Sequence, residues 1–296
     1  MSSTRPLFVV NPAAGNGRAA SVLANASFPG PAEINHTDAP GDAVRIAHRG
    51  AVEGFSPIVA IGGDGTVQEV VNGLMRVPDP PPLGIVPAGG GHDAARALGI
   101  PKNPAAAIRL AWSERAGAID LGSCNDRYFL NVAGAGLDTQ VAAAVNASDG
   151  RFAHGKAGYI VQALKQLRRY ENPEFTIRLD DTVIETPSIL VAFANLRYFA
   201  GGMKIAPNAN PTDGLLDLWI GGDLTRAETL MLFPAIFAGQ HGRHRKVTHH
   251  RVRSVTIESP TPLDVQLDGE ILETLPATFA VAPNALRIAG WPPPHP

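Results

Sequence analysis

The stretch VAIGGDGTVQEVVNGL, Val59 to Leu74, joins an apolar run to a glycine turn and then to a helix-like run. Gly62, Gly63 and Gly65 free the backbone for close ligand approach. Thr66-Val67-Gln68-Glu69 fits a capping box, with Thr66 as N-cap and Glu69 at the third helical position. A helix starting there would aim its unbonded N–H groups and its positive dipole end at the turn, which makes an anion site. Asp64 stands in the middle of that site. A carboxylate repels a bare phosphate, but it fits a nucleotide phosphate arriving with Mg²⁺, which takes carboxylate and phosphate oxygens together. Taking a proton from a nearby hydroxyl is a second use. The plain alternative is an aspartate that belongs to a tight strand–helix turn.

The same pattern occurs twice more. Leu7–Val10 precedes NPAAGNGRAA, and Leu83–Val86 precedes PAGGGHDAARAL. Three strand–turn–helix units predict an α/β layer with a mostly parallel sheet, whose ligands bind beyond the carboxyl ends of the strands. The first turn offers Asn11, Gly15, Gly17 and Arg18, but lacks both the P-loop and the dinucleotide glycine pattern. The third offers Gly89, Gly90 and Gly91, with Asp93 placed to cap the next helix. His92 beside it is either a polar nucleotide contact or a solvated side chain.

After Leu121 the texture changes to short strand-like runs, among them SILVAFAN, LLDLWIG and LDVQLDGE. Two helical stretches stand out, around Tyr159–Arg169 and at TRAETLMLFPAIFAG, where Pro234 is expected to kink or interrupt the helix. The closing WPPPHP reads as a loose tail. The 296-residue chain, 45% hydrophobic and 18% charged, is globular in composition. Its net charge of −2 offers no global attraction to nucleic acid. One cysteine, Cys124, excludes an internal disulfide and a cysteine-rich zinc site. No window approaches a membrane span, and the N-terminus lacks a signal-peptide core. A cytoplasmic protein is expected, peripheral on the inner membrane face if it meets lipid.

In this order, the turns resemble those of the diacylglycerol kinase catalytic domain superfamily, which includes bacterial lipid kinases and sphingosine kinases. The matching segments are NPAAG, IGGDGTVQEVVNGL and LGIVPAGGGHDAARALGIP, then FLNVAGAGLD, FAGGMKIAPNANPTDGLLDLWI and VQLDGE. The resemblance implies an α/β ATP-binding domain over residues 1–121, with 280–296 returning to it, and a β-sandwich lipid-acceptor domain over 122–279, with a cleft between them. It implies that Gly63, Asp64, Gly65, Thr66, Val67, Gln68 and Glu69 hold the nucleotide phosphates. Asn11, Gly15, Thr37, Gly90, His92 and Asp93 would line the same site. Asp213 would ligate a structural Mg²⁺ together with the main-chain carbonyls of Leu216 and Leu218. Carbonyls two apart on a strand do point the same way. Asp268 and Glu270, at a glycine turn after an apolar strand, would supply the base, with Glu270 favoured.

The third turn departs from the family's P-L-G-T-G-N-D. Gly90 replaces the threonine and His92 the asparagine. Losing one hydroxyl contact costs about 0.5–1.5 kcal/mol, which weakens ATP binding without abolishing it. The expected function is therefore an ATP- and Mg²⁺-dependent lipid kinase, acting on diacylglycerol or a related lipid alcohol at a membrane surface. The alternatives are an NAD kinase-like enzyme and a non-catalytic nucleotide- or lipid-binding regulator. The basic stretch GQHGRHRKVTHHRVR, Gly239–Arg253, is read either as a headgroup-facing patch or as a solvated loop and strand edge, and its histidines raise a weak metal reading. Oligomeric state is open, a homodimer being one option.

Overall fold

A computed structural model describes residues 5–147, 156–179 and 182–292. The chain falls into two compact units, 1–119 with 284–296, and 120–283.

The first unit holds β1 (Leu7–Val10), α1 (Ala14–Ala24), β2 (Glu33–His36), α2 (Asp42–Val52), β3 (Ile58–Gly62), α3 (Asp64–Leu74), β4 (Leu83–Pro87), α4 (Asp93–Ala97) and α5 (Pro104–Ala111). The strands run in the order β2-β1-β3-β4, all parallel. Strands β1, β3 and β4 are buried along their whole length, as unbroken apolar runs in a parallel sheet should be. All three glycine turns therefore lie at the carboxyl ends of neighbouring strands.

The second unit opens on β5 (Ala116–Cys124), which enters from the first. It continues with β6 (Arg127–Phe129), β7 (Val132–Gly136), α6 (Leu137–Asn146), α7 (Lys156–Leu167), β8 (Glu174–Leu179), β9 (Thr182–Pro187), β10 (Leu190–Ala194) and β11 (Leu216–Gly221). Then come α8 (Arg226–Ala238), β12 (Val247–Val252), β13 (Ser254–Glu258), β14 (Asp264–Leu267), β15 (Glu270–Thr274) and β16 (Ala277–Ala289), whose end returns to the first unit beside Leu83. One sheet has the order β12-β11-β10-β7-β14-β15, antiparallel throughout. Its inner face meets β8, β13 and β16 across a core that includes Phe175, Phe193, Leu218, Ile257 and Phe279. Phe193 and Phe279 stack with centroids 4.0 Å apart at the centre of this sandwich.

Two local expectations change. Pro234 does not interrupt α8, which runs through it. The proline is exposed, so water can satisfy the carbonyl one turn earlier that its missing N–H leaves unbonded. The end of the chain is not all loose: Trp291 is half-buried against Gly117, where a Cβ would strike its ring. Residues 293–296 lie outside the described residues.

Candidate nucleotide and lipid sites

In the first unit the three glycine turns are pinned to one another. Asn11 Nδ2 donates to Thr66 Oγ1 at 3.2 Å, and the Arg18 guanidinium donates to the Gly89 carbonyl at 3.2 Å. A Cβ on Gly89 would run into the Gly63 backbone, and one on Gly15 into the Ala88 carbonyl. Gly15, Asn16 and Gly17 are all left-handed, the conformation glycine and asparagine tolerate best. The regular part of α1 thus starts only after this turn.

Asp64 has a specific partner. It is the first residue of α3, and its Oδ1 accepts a hydrogen bond from the Ala94 N–H at 3.2 Å, in the first turn of α4. It therefore ties the second glycine turn to the third. The expected capping box is not formed. Helix α3 begins at Asp64 with Gly63 as N-cap, so Thr66 lies inside the first turn, buried against Asn11. Glu69 instead reaches α2, accepting from the N–H groups of Gly41 (3.0 Å) and Ala43 (3.1 Å). Val67 and Gln68 are buried in the helix's inner face. Of the seven residues Gly63–Glu69, the open end of the turn presents Gly63, Asp64 and Gly65, with the first-turn N–H groups that have no helical carbonyl to bond. Val67 N already bonds the Gly63 carbonyl. Thr37 is buried at the end of β2, its N–H bonded to the Val10 carbonyl.

At the third turn, Asp93 is the first residue of α4 rather than its cap; it is buried and ion-paired to Arg96 at 3.3 Å. The N-cap is His92, left-handed at φ 58°, with Nδ1 buried and unbonded. Burial lowers the His92 pKa; Asp64 opposes this, while Arg18, Lys102 and Arg96 reinforce it. Three cations around one turn favour an anionic ligand. Gly90, exposed, offers no side chain where the family has a hydroxyl. Sequence reasoning missed Arg96, which lies within the third motif on the helix after its glycines, and Lys102, which lies beyond it.

In the second unit the Asp268-Gly269-Glu270 turn is firmly held. Asp268 accepts hydrogen bonds from the backbone N–H groups of Leu130 (2.7 Å), Asn131 (2.7 Å) and Val132 (3.0 Å). Gly269 N donates to Gln266 Oε1 at 2.8 Å, and Asn146 donates to the Gly269 carbonyl. With both oxygens engaged by main chain, Asp268 fastens this turn to the start of β7. Glu270 is exposed.

Of the residues expected around magnesium, Asp213 is engaged by protein groups. The Asp213 carboxylate is ion-paired to Arg251 and accepts from Leu215 N. Leu216 and Leu218 lie on β11, where β12 flanks both and β10 also flanks Leu218. Among the described residues, no group of three or more His, Cys, Asp or Glu could hold a metal. The Asp213 loop reveals a missed carboxylate. Asp120, 1% exposed, accepts from Gly214 N at 2.8 Å, and Asn195 joins its carbonyl to that of Leu130.

The basic stretch is partly neutralised by its neighbours, with Arg243, Arg245 and Arg253 exposed. Lys246 pairs with Glu228 at 2.7 Å, His249 with Asp217 at 2.5 Å, and Arg251 with Asp213. His241 is buried beneath Trp219.

Helices α6, α7 and α8 and the outer face of the antiparallel sheet line an apolar pocket. Its walls include Val141, Tyr159, Ala163, Phe199, Leu232 and Phe233. One carboxylate lines it: Asp138, 6% exposed, whose Oδ2 accepts from Gln266 Nε2 at 3.2 Å while Oδ1 has no partner. Burial raises its pKa to about 6, a shift that bonds from Gln266 and Thr139 only partly offset. Through Gln266 this carboxylate is two hydrogen bonds from the Gly269 turn.

The diacylglycerol kinase catalytic domain profile matches residues 5–124, and the profile of the YegS C-terminal NAD kinase beta sandwich-like domain matches 131–290. The chain belongs to the diacylglycerol kinase family. Members bearing that name are phosphotransferases with an alcohol group as acceptor. A diacylglycerol kinase of Mycobacterium tuberculosis (strain CDC 1551 / Oshkosh) is 35% identical over 257 residues, covering 83% of this chain and 81% of that protein. One from Staphylococcus aureus (strain bovine RF122 / ET3-1) is 32% identical, covering 82% and 77%. A solved Bacillus anthracis str. Sterne structure, assigned as a diacylglycerol kinase, superposes with a TM-score of 0.80 at 28% identity, covering 97% of this chain and 98% of that one. Within this diacylglycerol kinase framework, no described helix is long and apolar enough to cross a membrane.

Proposed function

We propose that the chain is an ATP-dependent lipid kinase. The observation that carries the lipid side of this reading is the apolar pocket with its single buried carboxylate, joined through Gln266 to the Asp268-Gly269-Glu270 turn. A pocket with this apolar lining suits an acyl or alkyl chain. Asp138 is placed to orient a hydroxyl near that turn. In this reading Gly63, Asp64, Gly65 and the Gly15 and Gly90 turns bind the nucleotide phosphates through main-chain N–H groups, assisted by Arg18 and Arg96. Magnesium enters with the nucleotide as part of the substrate and neutralises phosphate charge. Glu270 takes the proton of the acceptor hydroxyl as its oxygen attacks the γ-phosphorus; the bond to the bridging oxygen breaks and ADP leaves. Diacylglycerol is the acceptor that the relatives' names favour.

The test is transfer of label from γ-labelled Mg·ATP to a panel of lipid alcohols in detergent micelles. Label should move to a glycerolipid with wild type and fall by at least about a hundredfold with Glu270→Gln, ATP binding being retained. ATP binding with no lipid labelled in any class would instead select the non-catalytic reading.

A further inference from the structure

Helix α8 is apolar on nearly every face. Leu232, Phe233 and Ile236 turn inward to line the pocket, while Leu230 and Met231 are 46% and 70% exposed. Helix α7 repeats the arrangement: Tyr159 and Ala163 line the pocket, and Val161 and Leu164 are 49% and 43% exposed. A helix that is apolar all round belongs in an apolar surrounding. Here the inner faces have the pocket, and the outer faces of both helices show four large apolar side chains to solvent. These are four of the six exposed large apolar side chains among the described residues. Cations border the patch: Lys165, Arg168 and Arg169 at the end of α7, and Arg226 at the start of α8, all exposed.

We propose that the outer faces of α7 and α8 are the surface by which this protein docks on an anionic lipid bilayer. This rests on the lipid-kinase reading for its purpose, since the chain of a membrane lipid must enter the pocket that these two helices wall. The apolar side chains enter the headgroup–acyl boundary, and the basic residues meet anionic headgroups, the pairing that gives interfacial helices their affinity. In the Gly239–Arg253 stretch, Lys246, His249 and Arg251 are committed to Glu228, Asp217 and Asp213, while Arg243, Arg245 and Arg253 are exposed but flank no exposed apolar pair, so the test includes Arg243 and Arg245 as a control.

The test is flotation of the full chain, without nucleotide, with vesicles of phosphatidylcholine alone or mixed with phosphatidylglycerol. Wild type should float with the mixed vesicles and release as salt rises. The double variant Leu164→Asp/Met231→Asp should partition at least about tenfold more weakly, and Arg168→Glu/Arg169→Glu should lose the preference for phosphatidylglycerol. Arg243→Glu/Arg245→Glu, which alters the other basic stretch, should float like wild type. The proposal is overturned if wild type does not float, if the α7/α8 variants float like wild type, or if those variants instead abolish a solution dimer, which would make the face a contact between copies. Phosphate transfer to micelle-dispersed lipid is read separately on the same samples. Docking without transfer defeats the kinase reading alone, and transfer without docking defeats this one alone.

Discussion

Replacing Asp138 by Asn tests the buried carboxylate through its effect on stability against pH. Its folded pKa of about 6 lies above the ordinary 3.8, and burial is the cause. Between these values the folded protein holds a proton that the unfolded chain has lost. Wild-type stability therefore falls as pH rises through this window, by about 3 kcal/mol in all. The asparagine keeps an oxygen to accept from Gln266 but has no charge to desolvate, so this fall should vanish. Its new NH₂ group lacks an acceptor where Oδ1 lacked a donor, a cost of about 1–3 kcal/mol that does not vary with pH. The readable quantity is thus the pH-dependent part. The stability of Asp138→Asn relative to wild type should rise by about 2 kcal/mol between pH 4.5 and pH 8. Urea unfolding across that range, followed by the fluorescence of Trp219, which lines the same pocket, measures it. A difference that stays constant across pH would refute the reasoning, since it would mean that the carboxylate titrates normally and is not desolvated in the pocket.

Asp268→Ala should lower stability by about 2–4 kcal/mol, because three backbone N–H groups lose a charged acceptor; Glu270→Gln should leave the unfolding midpoint within about 0.5 kcal/mol of wild type, as surface substitutions do, and denaturant unfolding compares the two. Gly89→Ala forces a Cβ into the Gly63 backbone, so it should cost about 1–3 kcal/mol and open the paired turns; calorimetric titration with ATP should show binding weakened along with the loss of stability. Gly90→Thr supplies the hydroxyl that the third turn lacks and should tighten ATP binding roughly threefold to tenfold, which the same titration would detect.

The parallel α/β layer was legible because its signals are local. Each buried strand is an uninterrupted apolar run, and each is followed within a few residues by a glycine turn that only a strand–helix junction needs. The change to a β-rich second unit was equally visible in short alternating runs. The roles of the carboxylates were not. Asp64 read as a partner for magnesium, yet it holds Ala94 N, and Glu69 read as a capping-box member, yet it holds α2. Asp213 read as a metal ligand and is paired with Arg251. Asp120 lies outside the matching segments, and Asp138 closes one of them, FLNVAGAGLD, without a pattern that marks it as buried in a pocket.

From its sequence alone, then, this protein is a glycine-turn α/β unit followed by a β-rich unit, with the glycine turns at the strand ends. Backbone propensity and apolar periodicity act over a few residues, and such signals survive in one dimension. What a carboxylate does depends on which groups surround it and how much water reaches it. Asp138 meets Gln266 128 positions away, and Asp268 meets Leu130 138 positions away. Only the folded chain brings those groups together, and only there does it become clear which acid is a fastener, which is buried in the apolar pocket, and which is left exposed.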